Sequence, residues 1–232
     1  MTKPAPSGQP ADERRFAQAI AGRFIVFEGP DGSGKSTQLR LTAKACKRAG
    51  VELIEVREPG GTFVGERIRT ALLEHSPEPM SVTCEMLLYM ASRAQLVEHK
   101  IRPAIERGAC VLADRFVAST LAYQGAAGGM SEDEIRTVAA IATGGMQPHQ
   151  VVVFDVDEHT AATRLNPLMD RMEAKGREFH RRVRAGYHAQ AGIDPGRYLL
   201  IDASPDQDTV WRNLLSELPA KLSSEPESGS AG

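Results

Sequence analysis

The sequence contains no C-x-x-C pair, no apolar run near the roughly 18 residues of a membrane span, and no excess of positive charge. Each absence removes a class of function. Cys46, Cys84 and Cys110 lie far apart among apolar or small neighbours, which points to buried thiols in a reducing compartment rather than a metal or redox centre. Lys and Arg number 28 against 30 Asp and Glu, a net charge of −2, so no overall basic field draws in a nucleic-acid polymer or an acidic membrane. A mononucleotide stays compatible with that balance. The N-terminus lacks the basic start and apolar stretch of a secretory signal, and the expected location is the cytoplasm. No Asn-Lys-x-Asp tetrapeptide occurs, which argues against a GTP switch, and no repeat of about 20–50 residues suggests a solenoid.

What is present is ordinary globular material: 232 residues, 41% apolar and 25% charged. Five short apolar runs, Phe24 to Phe27, Leu53 to Val56, Cys110 to Ala113, Val151 to Val156 and Tyr198 to Ile201, read as buried parallel strands. Helical patterns separate them over Lys35–Ala49, Thr62–Glu74, Ser81–Arg107, Ser131–Thr143, Glu158–Leu165, Glu173–Ala191 and Asp206–Glu217. Gly50 and Gly108 are placed to end helices in the left-handed conformation, and Ser131 with Glu134 can form a capping box. Alternating strand and helix predicts an α/β fold, a parallel sheet with helices on both faces, because parallel neighbours need crossover connections. Residues 1–21 and 219–232, rich in Pro, Ser, Gly or Glu, are expected to be mobile tails around one domain over 22–218.

One segment carries specific chemistry. Gly29-Pro30-Asp31-Gly32-Ser33-Gly34-Lys35-Ser36 satisfies Gly-x-x-x-x-Gly-Lys-Ser/Thr between a strand and a helix, the setting of a phosphate-binding loop. The glycines let backbone N–H groups curl round a phosphate, and the helix N-terminus adds its positive end. Lys35 can reach the β- and γ-phosphates and the Ser36 hydroxyl can ligate Mg²⁺. Such a loop does not choose a reaction by itself. Asp114 ends a strand where a parallel sheet presents its binding edge and can hold Mg²⁺ or a metal-bound water; its plain alternative is a helix N-cap. Arg115 follows it and Arg57 ends another strand, so both can grip phosphate oxygens. Two phosphates brought in line need such cations. Arg93, beside the apolar stripe Met86, Leu87, Met90 and Leu96, either reaches water or faces a cleft.

In combination these motifs resemble the thymidylate kinase family. The resemblance rests on Phe27-Glu28-Gly29 through Ser36-Thr37, then Arg57-Glu58-Pro59-Gly60-Gly61-Thr62, then Tyr89 to Gln95, then Asp114-Arg115-Phe116 leading to Ser119-Thr120 and Tyr123-Gln124, in order along nearly the whole domain. It implies a P-loop NTPase-type three-layer fold with a five-stranded parallel sheet and a short lid. It also implies transfer of phosphate from ATP to dTMP with Mg²⁺, and a homodimer. Gly29 to Thr37 would bind ATP, with Asp31 also near the sugar 3′-hydroxyl and the metal. Arg57 and Arg115 would grip the dTMP phosphate. Tyr89 would stack on thymine, Arg93 would contact the base edge, Thr120 and Gln124 would complete base recognition, and Tyr123 would crowd the 2′ position.

Members without an arginine inside the loop usually carry several basic residues in a mobile lid. Here the matching stretch, Arg164 to Glu173, is short and keeps only Arg164 and Arg171, one or both of which would face the γ-phosphate. The basic run His180 to Arg184 reads instead as a solvated helix face. Met86, Leu87, Met90 and Val97 could support self-association or face the monomer core. Two other functions remain compatible with the phosphate loop: another nucleoside monophosphate kinase, or an ATP-binding switch without turnover.

Overall fold

Strands buried on both faces explain why the apolar runs are short and unbroken. The computed structural model describes residues 10–74, 78–164, 171–172 and 175–224. All five runs are strands: β1 (Phe24–Glu28), β2 (Leu53–Arg57), β3 (Cys110–Asp114), β4 (Gln150–Asp155) and β5 (Tyr198–Asp202). They form one sheet in the order β2-β3-β1-β4-β5, with every neighbouring pair parallel. Burial follows that order, since β1 is wholly buried at the centre while β2 and β5, on the edges, are only partly so.

Alternation along β1 builds the two helical layers. Ile25 and Phe27 join an apolar cluster with α1 (Pro10–Ile20), α2 (Lys35–Ala49) and α10 (Gln207–Ser224). Phe24 and Val26 join the opposite one, with the end of α4 (Val82–Leu96), the π-helical turn Val97–Ile101, α5 (Arg102–Glu106), α6 (Val117–Thr120) and α9 (Arg177–Ile193). Helices α3 (Phe63–Leu73), α7 (Glu132–Thr143) and α8 (Glu158–Arg164) complete the set. Met86 and Met90 pack on Leu121, Ile135 and Ala139 within the chain, and Val97 is buried as well. Of that stripe only Leu87 faces outward, 51% exposed.

Three local expectations are corrected. The tail expected over 1–21 is helical from Pro10, and Phe16, Ala17 and Ile20 are fully buried against α2 and α10. Phe16 meets Trp211 edge-on at 5.3 Å between ring centroids. Pro and Ser at positions 4–10 mask an amphipathic helix directly behind them, in which burial of Phe16 and Ile20 contributes about 1.5–3 kcal/mol each. Likewise α10 runs through Pro219 to Ser224 and buries Leu218 and Leu222. The remaining tail calls, at 1–9 and 225–232, lie outside the described residues. Ser131 is the N-cap of α7 but its side chain makes no cap bond; side chains that do cap helices include Thr62, accepting from Gly65 N, Ser81, accepting from Cys84 N, Asp157, accepting from Thr160 N, and Asp206, accepting from Thr209 N. Gly50 takes the left-handed cap conformation as expected.

Cys84 is exposed, contrary to the expectation of three buried thiols, because it sits in the first turn of α4. Burial pushes Cys46 up to about 11 and Cys110 to about 12, which keeps both protonated and inert. Among the described residues no helix is long and apolar enough to cross a membrane.

Candidate active site

The loop after β1 depends on glycine at two points. Gly29 has φ 131°, and a Cβ there would lie 2.5 Å from the Phe154 carbonyl oxygen; Gly32 has φ 79° and backs onto the Ala161 carbonyl. Any side chain would both strain and displace the loop. Helix α2 starts at Lys35, and its first turn borders the same cleft, with the Thr37 N–H already donating to the Gly34 carbonyl at 3.0 Å. The Lys35 ammonium donates to the Gly29 and Pro30 carbonyls at 2.9 and 3.1 Å. Burial and the neighbouring Arg115 charge lower its pKa, while Asp31, Asp114 and Glu28 oppose that shift.

Register brings the second half of the site to the loop. Asp114 at the end of β3 is aligned with Phe27 of β1 and with Arg57 of β2. The cleft at this edge has a volume of about 740 Å³ and is lined by Lys35 and Ser36 at the start of α2 and by Arg57, Asp114 and Arg115 at the ends of β2 and β3. Tyr89, Thr120, Tyr123 and Gln124 close its floor. Tyr123 and Gln124 reach it because the chain after α6 widens into a π-helical turn, Leu121–Ala126, that turns both inward. Five lining residues carry a buried polar atom without a hydrogen-bond partner: Ser33 Oγ, Gln38 Oε1, Glu58 Oε1, the Asp114 Oδ1 acceptor and the Gln124 Nε2 donor. Unpaired groups of this kind cost about 1–3 kcal/mol unless something binds them.

Arg115 is the most constrained residue of the site. Its φ of 72° is the only positive value among the described non-glycine residues. Its backbone N–H donates to the Phe27 carbonyl at 3.0 Å, and its Nη2 meets Asp31 Oδ1 at 2.5 Å. Nη1 faces the Ser119 and Tyr187 hydroxyls at 3.2 and 3.4 Å, and the guanidinium lies 5.1 Å over the Tyr123 ring. Burial by itself would raise the Asp31 carboxyl, but the charges of Arg115 and Lys35 hold it down at about 2. The stability this adds is present above the ordinary value of 3.8 and is lost as pH falls through about 2.

Arg93 neither reaches water nor lines the cleft. It is 1% exposed and lies behind the floor, with Nε and Nη2 on Glu58 Oε2 at 2.8 and 2.6 Å and Nη1 and Nη2 each 3.2 Å from Thr120 Oγ1. Glu58 and Thr120 both line the cleft, so Arg93 is one side chain removed from it. Burial raises the Glu58 carboxyl and Arg93 opposes the rise. Arg57 is half exposed and paired with Glu66 at 2.9 Å. Arg69 also lines the cleft and donates to the Pro59 carbonyl at 3.0 Å; sequence reasoning missed it, although Arg69 and Leu73, i and i+4, share the face of α3 that borders the cleft.

The two lid candidates separate. Arg164 lines the far end of the cleft and donates to the Ala203 and Ser204 carbonyls at 2.8 Å each. Arg171 is held away from the cleft, donating to the Leu72 carbonyl at 2.8 Å and pairing with Glu85 at 3.1 Å. Lys175 binds the same Glu85 carboxylate, at 2.8 Å. Residues 165–170 and 173 of the expected lid lie outside the described residues. In the basic run of α9, Arg181 and Arg182 are exposed and pair with Glu178, and Arg184 pairs with Asp155; none of them borders the cleft.

Comparison with known proteins gives one consistent answer. The family model described as thymidylate kinase matches residues 27–213. A thymidylate kinase from an Exiguobacterium species is 43% identical over 198 residues, 84% of this chain and 93% of the relative. One from Thermomicrobium roseum is 45% identical over 198 residues, 82% of this chain and 93% of the relative. The crystal structure of thymidylate kinase from Ehrlichia chaffeensis superposes with a TM-score of 0.69 at 28% identity, covering 84% of this chain and 97% of that one.

Proposed function

The chain belongs to the thymidylate kinase family, and from that premise we propose how its cleft divides between two nucleotides. The enzyme phosphorylates dTMP to dTDP with ATP as donor. ATP takes the Gly29–Thr37 loop and the end of the cleft near Arg164; dTMP takes the edge formed by β2, β3 and the π-helical turn. The observation that carries this division is the single cleft that joins Lys35 and Ser36 to Arg57, Arg69 and Arg115. Cations suited to two anionic partners converge on this cleft.

The acceptor half follows from chemistry. Arg57, Arg69 and Arg115 hold the dTMP phosphate, with Arg57 exchanging its Glu66 partner for it. Gln124 Nε2, a buried donor without a partner, suits a carbonyl of the thymine ring, and Tyr89 supplies the stacking face. Arg93 acts on the base edge through Thr120 and Glu58. Tyr123, bonded to Asp31 at 3.3 Å, stands where it crowds a ribose 2′-hydroxyl.

The residues also fit Mg²⁺. Asp114 Oδ1 is a buried acceptor without a partner, Ser36 lines the same cleft, and among the described residues no cluster of three or more His, Cys, Asp or Glu forms a separate metal cage. One hydroxyl and one carboxylate, with waters and phosphate oxygens, is the donor set that Mg²⁺ prefers. Bound there, the ion would neutralise charge on the β- and γ-oxygens. A cytoplasmic location and a homodimer complete the proposal; light scattering reads the second.

Coupled assays across nucleoside monophosphates test the substrate. dTMP is expected to give the highest kcat/KM, and a better rate with dUMP, AMP, GMP or CMP, or ATP binding without dTDP formation, overturns the reading. Arg164 and Arg171 are tested by alanine substitution. Arg164→Ala is expected to raise the KM for ATP, because its anchor on the Ala203 and Ser204 carbonyls shapes that end of the cleft. Arg171→Ala is expected to lower kcat by more than about tenfold only if closure moves Arg171 from Glu85 to the phosphates. Normal turnover in both variants removes the lid as the source of charge.

A further inference from the structure

Glu28, at the end of β1, is fully buried, and neither it nor Tyr187 of α9 borders the cleft. Its Oε1 accepts the backbone N–H groups of Phe116 and Ser119 at 2.8 and 3.1 Å. Its Oε2 accepts the hydroxyls of Ser119 and Tyr187 at 2.6 and 2.9 Å. Four donors meet the four lone-pair sites of a carboxylate, the arrangement of an ionised acid. Burial raises this carboxyl all the same, with the Arg115 charge, the Ser119 and Tyr187 hydroxyls and the Phe116 N–H opposing.

The two hydroxyls also lie 3.0 Å apart, where either can donate to the other, so donation to Glu28 is the arrangement in which both turn their lone pairs outward. With both hydroxyls donating to Glu28, the lone pairs of Ser119 Oγ and Tyr187 Oη are left to face Arg115 Nη1, at 3.2 and 3.4 Å. The same carboxylate caps the first N–H groups after Arg115, and so holds the backbone that gives Arg115 its positive φ. Tyr187 reaches this point because its neighbour Gly186 has no side chain: a Cβ there would stand 2.7 Å from Ala126 Cβ and 3.2 Å from Ala122 Cα, pushing α9 off the π-helical turn.

We infer that Glu28 and Tyr187 are positioning residues for phosphoryl transfer: through the Ser119 and Tyr187 hydroxyls they hold the Arg115 guanidinium between Asp31 and the cleft. The inference rests on the reading that Arg115 touches the transferring phosphate. Asp31 alone would let the guanidinium rotate about one contact, whereas two further acceptors on Nη1 fix its plane.

The test is a double-mutant cycle on the full chain, reading kcat for dTDP formation, the KM for each substrate and the melting temperature. Tyr187→Phe, which keeps the ring, is expected to lower kcat by about tenfold, to leave the KM for ATP unchanged, to lower the melting temperature by only a few degrees, and to cause no further loss of kcat in an Arg115→Ala background. Glu28→Gln, which places an amide N–H group against two of the four donors, is expected to lower kcat further, and again only where Arg115 is present. Should it fail to fold, Ser119→Ala carries the same cycle. Losses that multiply with Arg115→Ala, or a Tyr187→Phe enzyme with normal kcat, overturn the inference. Wild-type protein that makes no dTDP overturns the functional reading instead, so the two failures are distinct.

Discussion

Lys35→Ala is expected to lower kcat for dTDP formation by roughly a thousandfold or more, the largest effect of any single substitution in the cleft. The ammonium is nearly buried and already bonded to the Gly29 and Pro30 carbonyls, so it is held in place before any phosphate arrives and loses little entropy in reaching one. Burial and Arg115 lower its pKa, while Asp31, Asp114 and Glu28 support its charge; the site thus holds a cation and its counter-charges in one desolvated volume. Lys35→Met, which preserves the stem, should lose nearly as much rate with a smaller change in melting temperature. That comparison separates lost charge from lost packing. Normal turnover in either variant would remove the loop from the reaction.

The second large effect is expected at Arg115, where alanine should lower kcat/KM for dTMP by about a hundredfold to a thousandfold while ATP binding changes little. Arg115 contacts the phosphate loop through Asp31 and also lies on the acceptor edge directly after β3. Its removal leaves Asp31 with Lys35 and Tyr123 as partners, so the Asp31 carboxyl should rise from about 2 toward its ordinary value. Arg115→Lys should recover only part of the loss, since an ammonium cannot bridge Asp31, the two hydroxyls and a phosphate at once. Titration of Asp31 by NMR and steady-state kinetics with each substrate varied separately are the measurements. An Arg115→Ala enzyme impaired for ATP and not for dTMP would reverse the assignment.

Arg93 shows how a correct motif can carry an incomplete picture. The order Tyr89 to Gln95 was legible as part of the resemblance, but the sequence left open whether Arg93 faced water or a cleft. The structure does neither: it buries the guanidinium against Glu58 and Thr120. Breaking a buried pair of this kind costs about 3–5 kcal/mol, so activity lost in Arg93→Ala has to be read beside stability. Arg69 and Tyr187 were not found, and Glu28 was read only as part of the motif before the loop, without a role. Each matters through a partner brought close by the sheet or by helix packing, and their local patterns are those of ordinary helix and strand residues.

Chain order by itself determined the five strands, the alternating helices, the phosphate loop and the carboxylate and arginine at the end of β3. These features are local: short apolar runs report burial on two faces, and glycine spacing reports a turn that a side chain would block. It did not determine where the folded unit begins, because Phe16 and Ile20 are recognisable as core only once Trp211 and α2 stand beside them. Nor did it decide the fate of the two arginines expected to serve the lid. Tertiary structure placed Arg164 on the Ala203 and Ser204 carbonyls and Arg171 on the buried Glu85, because each took the nearest oxygens that could satisfy a guanidinium. Which oxygens those are is a property of elements 39 and 86 residues away in the chain, and only folding brings them together.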